Sequence, residues 1–225
     1  TVDGVLADIG VSSYQLDQSH RGFSFRLPGP IDMRMNPTAG ETAEELIRRS
    51  STSELATLLR TFGEEPFAMR IARAIHRWLE AQSAPTTTGL ADCIADALPA
   101  KVRTKRKHHP ATKTFQALRI AVNDELGALE RLLDALPLYL AQGGRALIIS
   151  FHSLEDRIVK RRFNRWAGRV PNAAPRRGLP PPPSEKPSFE LLARKGLTAS
   201  ASECERNPRA RSARLRAVRK LEVAA

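Results

Sequence analysis

An α/β fold with an inserted α-helical domain is what this 225-residue sequence predicts, and three observations lead there. Val2-Asp3-Gly4-Val5-Leu6-Ala7-Asp8-Ile9 and Arg145-Ala146-Leu147-Ile148-Ile149-Ser150-Phe151 are short apolar runs without helical period, the pattern of strands buried on both faces. Between them, and above all over residues 42–98, apolar residues recur at helical spacing with no strand among them. Parallel strands need crossover connections, so the sequence reads as α/β elements with a small helical bundle inserted between them.

The first run ends in Asp8, followed by Gly10, the small polar shoulder Val11-Ser12-Ser13 and Gln15. Ligands of open α/β sheets bind beyond the carboxyl ends of the strands, so Asp8 reads as an acid facing a ligand, against the alternative of a turn cap. Thr42-x-x-Glu45 and Ser51-x-x-Glu54 are capping boxes that open two helices. Phe67, Ile71, Ile75 and Leu79 then mark the buried face of a third, with Arg70, Arg73 and Arg77 on another face. A fourth helix runs from Gly89 to Leu98 and stops at Pro99.

Lys101 to His109 carry charge without apolar period and are expected to form a loop. Solvated charge is the ordinary reading; a nucleic-acid contact through Lys105, Arg106 and Lys107 is the functional one. From Thr112 to Leu136 the spacing predicts one long amphipathic helix closed by Pro137, with Gly143-Gly144 turning the chain into the second strand. His152-Ser153 follows that strand, and Leu154 to Phe163 resumes helical spacing behind an acidic first turn, which suits the helix dipole. His152 therefore reads either as a cap or core histidine or as a substrate contact. Residues 171–188 hold seven prolines and cannot form a regular core element. Two last strands are expected around Phe189–Leu192 and Ala213–Val218, separated by Asn207-Pro208-Arg209-Ala210-Arg211-Ser212, whose arginines suit phosphate or carboxylate recognition, or else the charge that protects an exposed edge strand.

Thirty-six Lys and Arg against 24 Asp and Glu give a net charge of +12, which suits a polyanionic partner, nucleic acid before an anionic membrane surface. No apolar run approaches the roughly 18 residues of a membrane span, and the expectation is a soluble, cytoplasmic protein with reduced thiols. Cys93 and Cys204 are too few for a disulfide framework or a zinc site, and no metal is expected. The chain opens almost at once on a core strand, without a secretory leader, and lacks any GxGxxG or GxxxxGK[ST] loop. The expectation is that a segment precedes it.

Several blocks together resemble a known family: Asp8-Ile9-Gly10-Val11-Ser12-Ser13-Tyr14-Gln15-Leu16-Asp17, Arg21-Gly22-Phe23-Ser24-Phe25, Gly29-Pro30-Ile31-Asp32-Met33-Arg34-Met35, Gly63-Glu64-Glu65, His109 to Ile120, Ser150-Phe151-His152-Ser153-Leu154-Glu155-Asp156-Arg157-Ile158-Val159-Lys160 and Asn207 to Ser212. In collinear order over nearly the whole chain they are similar to the bacterial small-subunit ribosomal RNA cytosine-N4 methyltransferases, the family called RsmH or MraW. The resemblance implies a class I, Rossmann-like methyltransferase using S-adenosylmethionine, with an inserted helical domain: 1–18 and 109–225 methyltransferase, 19–108 insertion. It implies methylation of the exocyclic amine of a cytidine in the decoding region of small-subunit ribosomal RNA, within an assembled or nearly assembled subunit, and leaves room for a homodimer.

By the same resemblance Asp8 and Gln15 contact the cofactor, with Asp8 also a candidate in catalysis. Ser12, Ser13 and His152 are candidates for touching the base, and Lys105, Arg106, Lys107, Arg209 and Arg211 for holding the RNA. The family's glycine-rich cofactor loop has no counterpart here, so the chain resembles its carboxyl-terminal two thirds. The rival reading is a non-catalytic, basic RNA-binding module.

Overall fold

The computed structural model describes residues 1–106, 108–169 and 186–222 and divides them into two compact units. One is discontinuous, Thr1–Gly10 with Leu126–Ala225; the other, Val11–Glu125, is a single stretch of chain. Lys107 and all of the proline-rich stretch before Lys186 lie outside the described residues.

The discontinuous unit is a sheet with helices. Its strands are β1 (Val2–Asp8), β2 (Leu140–Ser150), β3 (Phe189–Leu191), β4 (Leu197–Thr198) and β5 (Arg214–Lys220). They order as β1-β2-β5-β3, with β4 also on β5. β1 and β2 are parallel; β5 runs antiparallel to β2, β3 and β4. One reversed strand thus sits among strands that all point the other way.

β2 is the central strand, with Leu140, Ala146 and Ile148 buried at 0–1% exposure. Burial on both faces, expected of β1 as well, does not hold there: Val2 and Leu6 are 47% and 67% exposed, because among the described residues nothing covers that face. The glycine turn expected before β2 lies inside it. Val2 pairs with Leu140 but Gly4 with Arg145, so the intervening residues, Gly143 at φ +73° among them, bulge out of the ladder.

The long helix expected from Thr112 to Leu136 is two. α7 (Thr112–Asn123) ends at Asp124, which adopts a left-handed φ of +47°, and α8 (Glu125–Tyr139) starts afresh. Arg119 straddles the break, donating from Nε and Nη2 to the Glu125 carboxylate at 2.7 and 2.9 Å. Pro137 does not close α8 but sits within its last turn. The Lys220 ammonium caps that end, donating to the carbonyls of Pro137 and Leu140 at 2.8 Å each. α8 lays Leu129, Leu133 and Leu136 onto a core completed by Phe163, Phe189 and Val218.

The contiguous unit is helical: α1 (Ser13–Asp17), α2 (Ala43–Arg49), α3 (Thr52–Gly63), α4 (Ala68–Glu80), α5 (Thr87–Ala97), α6 (Ala100–Arg103) and α7. Both expected capping boxes are formed: Thr42 and Ser51 accept from the amides of Glu45 and Glu54, whose carboxylates accept from the Thr42 and Ser51 amides in return. α4 buries Ile71, Ile75 and Leu79 and leaves Arg70, Arg73 and Arg77 exposed, as its periodicity requires. α5 begins two residues before Gly89, capped by Thr86. The expected loop from Lys101 opens instead on the helical turn α6, started by Pro99.

The irregular segment from Gln18 to Met35 is held by specific geometry. Gly22 takes φ +71° with its Cα against the backbone, where a Cβ would lie 2.4 Å from the Pro30 carbonyl oxygen; a Cβ on Gly29 would lie 1.9 Å from that of Ser19. Buried Thr87 ties the segment to α5, donating its hydroxyl to the Leu27 carbonyl and its amide to that of Gly29. Ile31 and Met33 reach a core shared with Ile47, Leu59, Ile75 and Leu118. The glycine-bearing blocks noted in the sequence are therefore scaffold for this segment.

Candidate functional site

Asp8 pairs in register with Ile149, and the Ile9 amide donates to the Ile149 carbonyl at 3.1 Å, so the chain leaves both parallel strands at the same end of the sheet. Gly10, at φ +100°, lets the first exit pass close to the second: a Cβ there would lie 3.7 Å from the Phe151 ring and 3.9 Å from Glu155 Oε1. Asp8 is exposed and makes no hydrogen bond or ion pair among the described residues. A solvated carboxylate without a protein partner at this position is open to a ligand.

β2 leads directly into α9 (Ser153–Trp166), with His152 at the junction. Glu155 Oε2 accepts from the Phe151 amide at 2.9 Å and the His152 amide at 3.3 Å, while Oε1 lies 3.2 Å from His152 Nε2. Burial alone would raise the Glu155 pKa. The adjoining imidazole and the two amides outweigh it and hold the carboxyl below its ordinary range. Among the described residues His152 Nδ1 is buried without a hydrogen-bond partner.

One residue further along, Asp156 receives Nε and Nη2 of Arg216 at 2.7 and 3.0 Å, while Arg214 stands 3.7 Å from the same carboxylate. Arg214 and Arg216 alternate along β5, so the two-residue period of a strand aims both at α9. Between the start of α9 and the start of β5 lies a cleft of about 420 Å³, with Lys160, His152, Ser212 and Arg214 in its lining.

The other residues singled out in the sequence fall as follows. Ser12 and Gln15 cap α1 reciprocally: the Gln15 side-chain oxygen accepts from the Ser12 amide at 2.9 Å, and the Ser12 hydroxyl accepts from the Gln15 amide at 3.3 Å. Ser13 is the exposed first residue of that helix. Lys105 is exposed, but Arg106 is turned inward, its Nη1 and Nη2 donating at 2.8 and 2.7 Å to the carboxylate of Glu65, which is fully buried. Arg209 and Arg211 are exposed on a 3-10 turn, Pro208–Ser212, that leads into the cleft.

His152 is thus joined to the end of the sheet that carries Asp8, and Arg209 and Arg211 to the turn leading into the cleft. Sequence reasoning missed Lys160, Ser212, Arg214 and the Asp156–Arg216 pair. The available signal was the alternation of Arg214 and Arg216 in a strand that follows an acid-rich helix start.

A parallel strand pair with a solvated carboxylate beyond one strand and a cationic cleft beyond the other defines an α/β protein whose carboxyl strand ends gather its exposed charged groups. Comparison with known proteins makes this specific. The model of the MraW methylase family matches residues 1–221, and the chain belongs to that family of methyltransferases. It is 56% identical over 222 residues to the protein named ribosomal RNA small subunit methyltransferase H of Anaeromyxobacter sp. (strain K), covering 98% of this chain and 70% of that one. Proteins of the same name from Nitratidesulfovibrio vulgaris (strain DP4) and Acidobacterium capsulatum are 52% and 50% identical, again over 98% of this chain and over 68% and 67% of theirs.

Proposed function

We propose that the chain methylates the exocyclic N4 amine of a cytidine in the decoding region of small-subunit ribosomal RNA, using S-adenosylmethionine, on a class I methyltransferase fold. The observation that carries this reading is the end of the β1/β2 pair, where an unpartnered Asp8 stands beside the β2–α9 junction in a chain of the MraW methylase family. The names of its relatives, ribosomal RNA small subunit methyltransferase H, support small-subunit ribosomal RNA as the substrate. The net charge of +12 suits it.

When bound, S-adenosylmethionine supplies an electrophilic methyl group on a sulfonium. Asp8 fits such a cofactor, because its solvated carboxylate can accept from polar N–H or hydroxyl groups and balance positive charge. Gln15, the other cofactor candidate, suits the role less directly because it already caps α1, and Ser12, a candidate for touching the base, is committed to the same cap. The work left to the protein is alignment of the amine, with Ser13 and His152 the further candidates for holding the base. Lys105 and Arg211 remain exposed and available to phosphates, Arg209 is exposed beside Arg211 and stays a candidate, and Arg106 serves the fold through Glu65. The reaction would take place in the cytoplasm on an assembled or nearly assembled subunit; the free thiols of Cys93 and Cys204 agree with a reducing compartment, and among the described residues no helix is long and apolar enough to cross a membrane.

The test is transfer of labelled methyl from S-adenosylmethionine to small ribosomal subunits lacking the modification, with this chain and with a form as long as its relatives. Label on the N4 amine of one decoding-region cytidine is expected. RNA binding by both forms without transfer would instead favour the non-catalytic RNA-binding module.

A further inference from the structure

The cleft between α9 and the start of β5 contains more cationic chemistry than the fold uses. Lys160 is exposed and has no ion-pair or hydrogen-bond partner among the described residues. The Arg214 side chain is 46% exposed, and among the described residues the acid that faces it, Asp156, is 3.7 Å away and already gives both oxygens to Arg216. The acid of the cleft is thus matched by Arg216, while Lys160 and Arg214 bring two further positive charges. Ser212 adds an exposed hydroxyl.

Two further observations point to a ligand rather than to a solvated surface. His152 also lines the cleft; its side chain is only 10% exposed, yet among the described residues Nδ1 has no hydrogen-bond partner. The cleft opens at the amino end of the fourteen-residue helix α9, where the helix dipole favours an anion.

We propose that this cleft is a phosphate subsite for the RNA backbone, formed by Lys160, Arg214 and Ser212 with His152 at its floor. The inference rests on the RNA-methyltransferase reading for the identity of its polyanion, and it extends that reading by naming which residues grip the backbone beside the sheet end that carries Asp8. A lysine acts as a point charge and an arginine as a planar fork, so together with a hydroxyl they suit the tetrahedral oxygens of a phosphodiester. The same donors could hold the carboxylate of the cofactor, and the experiment separates the two sources.

Binding of a decoding-region RNA hairpin is measured as a function of salt for the wild type and for Lys160→Gln, Arg214→Gln, Ser212→Asp and the control Arg73→Gln on α4, with S-adenosylmethionine affinity measured in parallel. Each neutralisation in the cleft is expected to flatten the dependence of log K on log salt by about 0.7 to 0.9. Ser212→Asp should weaken RNA binding several-fold, and Arg73→Gln should leave the slope unchanged. Unchanged slopes in the cleft variants, equal flattening by Arg73→Gln, or a fall confined to S-adenosylmethionine affinity would each overturn the proposal, the last in favour of a carboxylate site. Lys160→Gln removes no ion pair or hydrogen bond among the described residues, and an unchanged unfolding midpoint of this variant separates lost binding from misfolding. A wild type that binds RNA with the expected slopes yet transfers no methyl group would sink the methyltransferase reading and leave the phosphate subsite standing.

Discussion

Arg216 on β5 and Asp156 on α9 form a two-pronged ion pair that pins the first turn of the helix to the sheet, with side chains only 10% and 18% exposed. Charges this far out of water are costly unless matched, so the pair matters most when one partner is removed. Asp156→Ala should destabilise the protein by about 3 kcal/mol, because it strands a guanidinium. Replacing both residues by apolar ones of similar volume should recover most of that loss, and urea unfolding of the two single variants and the double variant reads it directly.

Arg106 and Lys105 are neighbours with opposite tasks. Arg106→Lys keeps the charge but cannot reproduce the fork on Glu65, and should cost about 2 kcal/mol of stability. Lys105→Gln should change stability by less than about 0.5 kcal/mol. Thermal unfolding of both variants separates a cation that holds the fold from one left to solvent.

Asp8→Asn should leave the fold intact, since the side chain is exposed and unpartnered, with a stability change under about 0.5 kcal/mol. Affinity for S-adenosylmethionine, measured by calorimetry in a form that binds it, should fall at least about tenfold, the loss expected of roughly 1.4 kcal/mol. Unchanged affinity would remove Asp8 from the cofactor site.

Much of the architecture was legible because local signals and tertiary packing agree. The capping boxes at Thr42 and Ser51, the buried stripe of α4 and the second strand all follow from patterns within a few residues. The break at Asp124 was hidden, since Val122, Leu126 and Leu129 keep helical spacing across it, and only the left-handed backbone and the Arg119–Glu125 pair reveal the new start. Within the site, the strand-end position of Asp8 could be read from the run that precedes it. The commitment of Arg106 to Glu65, 41 positions away, and the meeting of Asp156 with Arg216, 60 positions away, could not. Such pairings are set by topology, and a cation bound inward looks the same in sequence as one facing solvent.

Glu155 ties stability to pH. Its carboxyl is held below the ordinary value of 4.5, burial being outweighed by His152 and the two amides, so the ionised form is favoured in the folded state. That contribution is complete above the unfolded-state pKa and disappears as pH falls through the lower folded-state value. Between pH 7 and pH 3 the urea midpoint should fall more steeply for the wild type than for Glu155→Gln, and parallel curves would refute the assignment.

Burial pushes the Cys93 thiol up to about 11, with Asp96 adding to the effect. At pH 8 only about one molecule in a thousand carries the reactive thiolate there. Alkylation followed by mass spectrometry should show Cys93 protected at pH 8 in the native protein and modified rapidly once it is unfolded.

The position of β5 bears on the order in which the molecule is made. It is the last of the described strands in the chain, yet it lies between β2 and β3 and is the strand on which β4 also pairs. The helical unit from Val11 to Glu125 is one uninterrupted stretch and can close during synthesis, whereas the sheet must hold β1 and β2 ready until residue 220 has emerged. The cleft is therefore complete only once β5 is in place, since Arg214 in its lining and Arg216 on Asp156 both come from that strand.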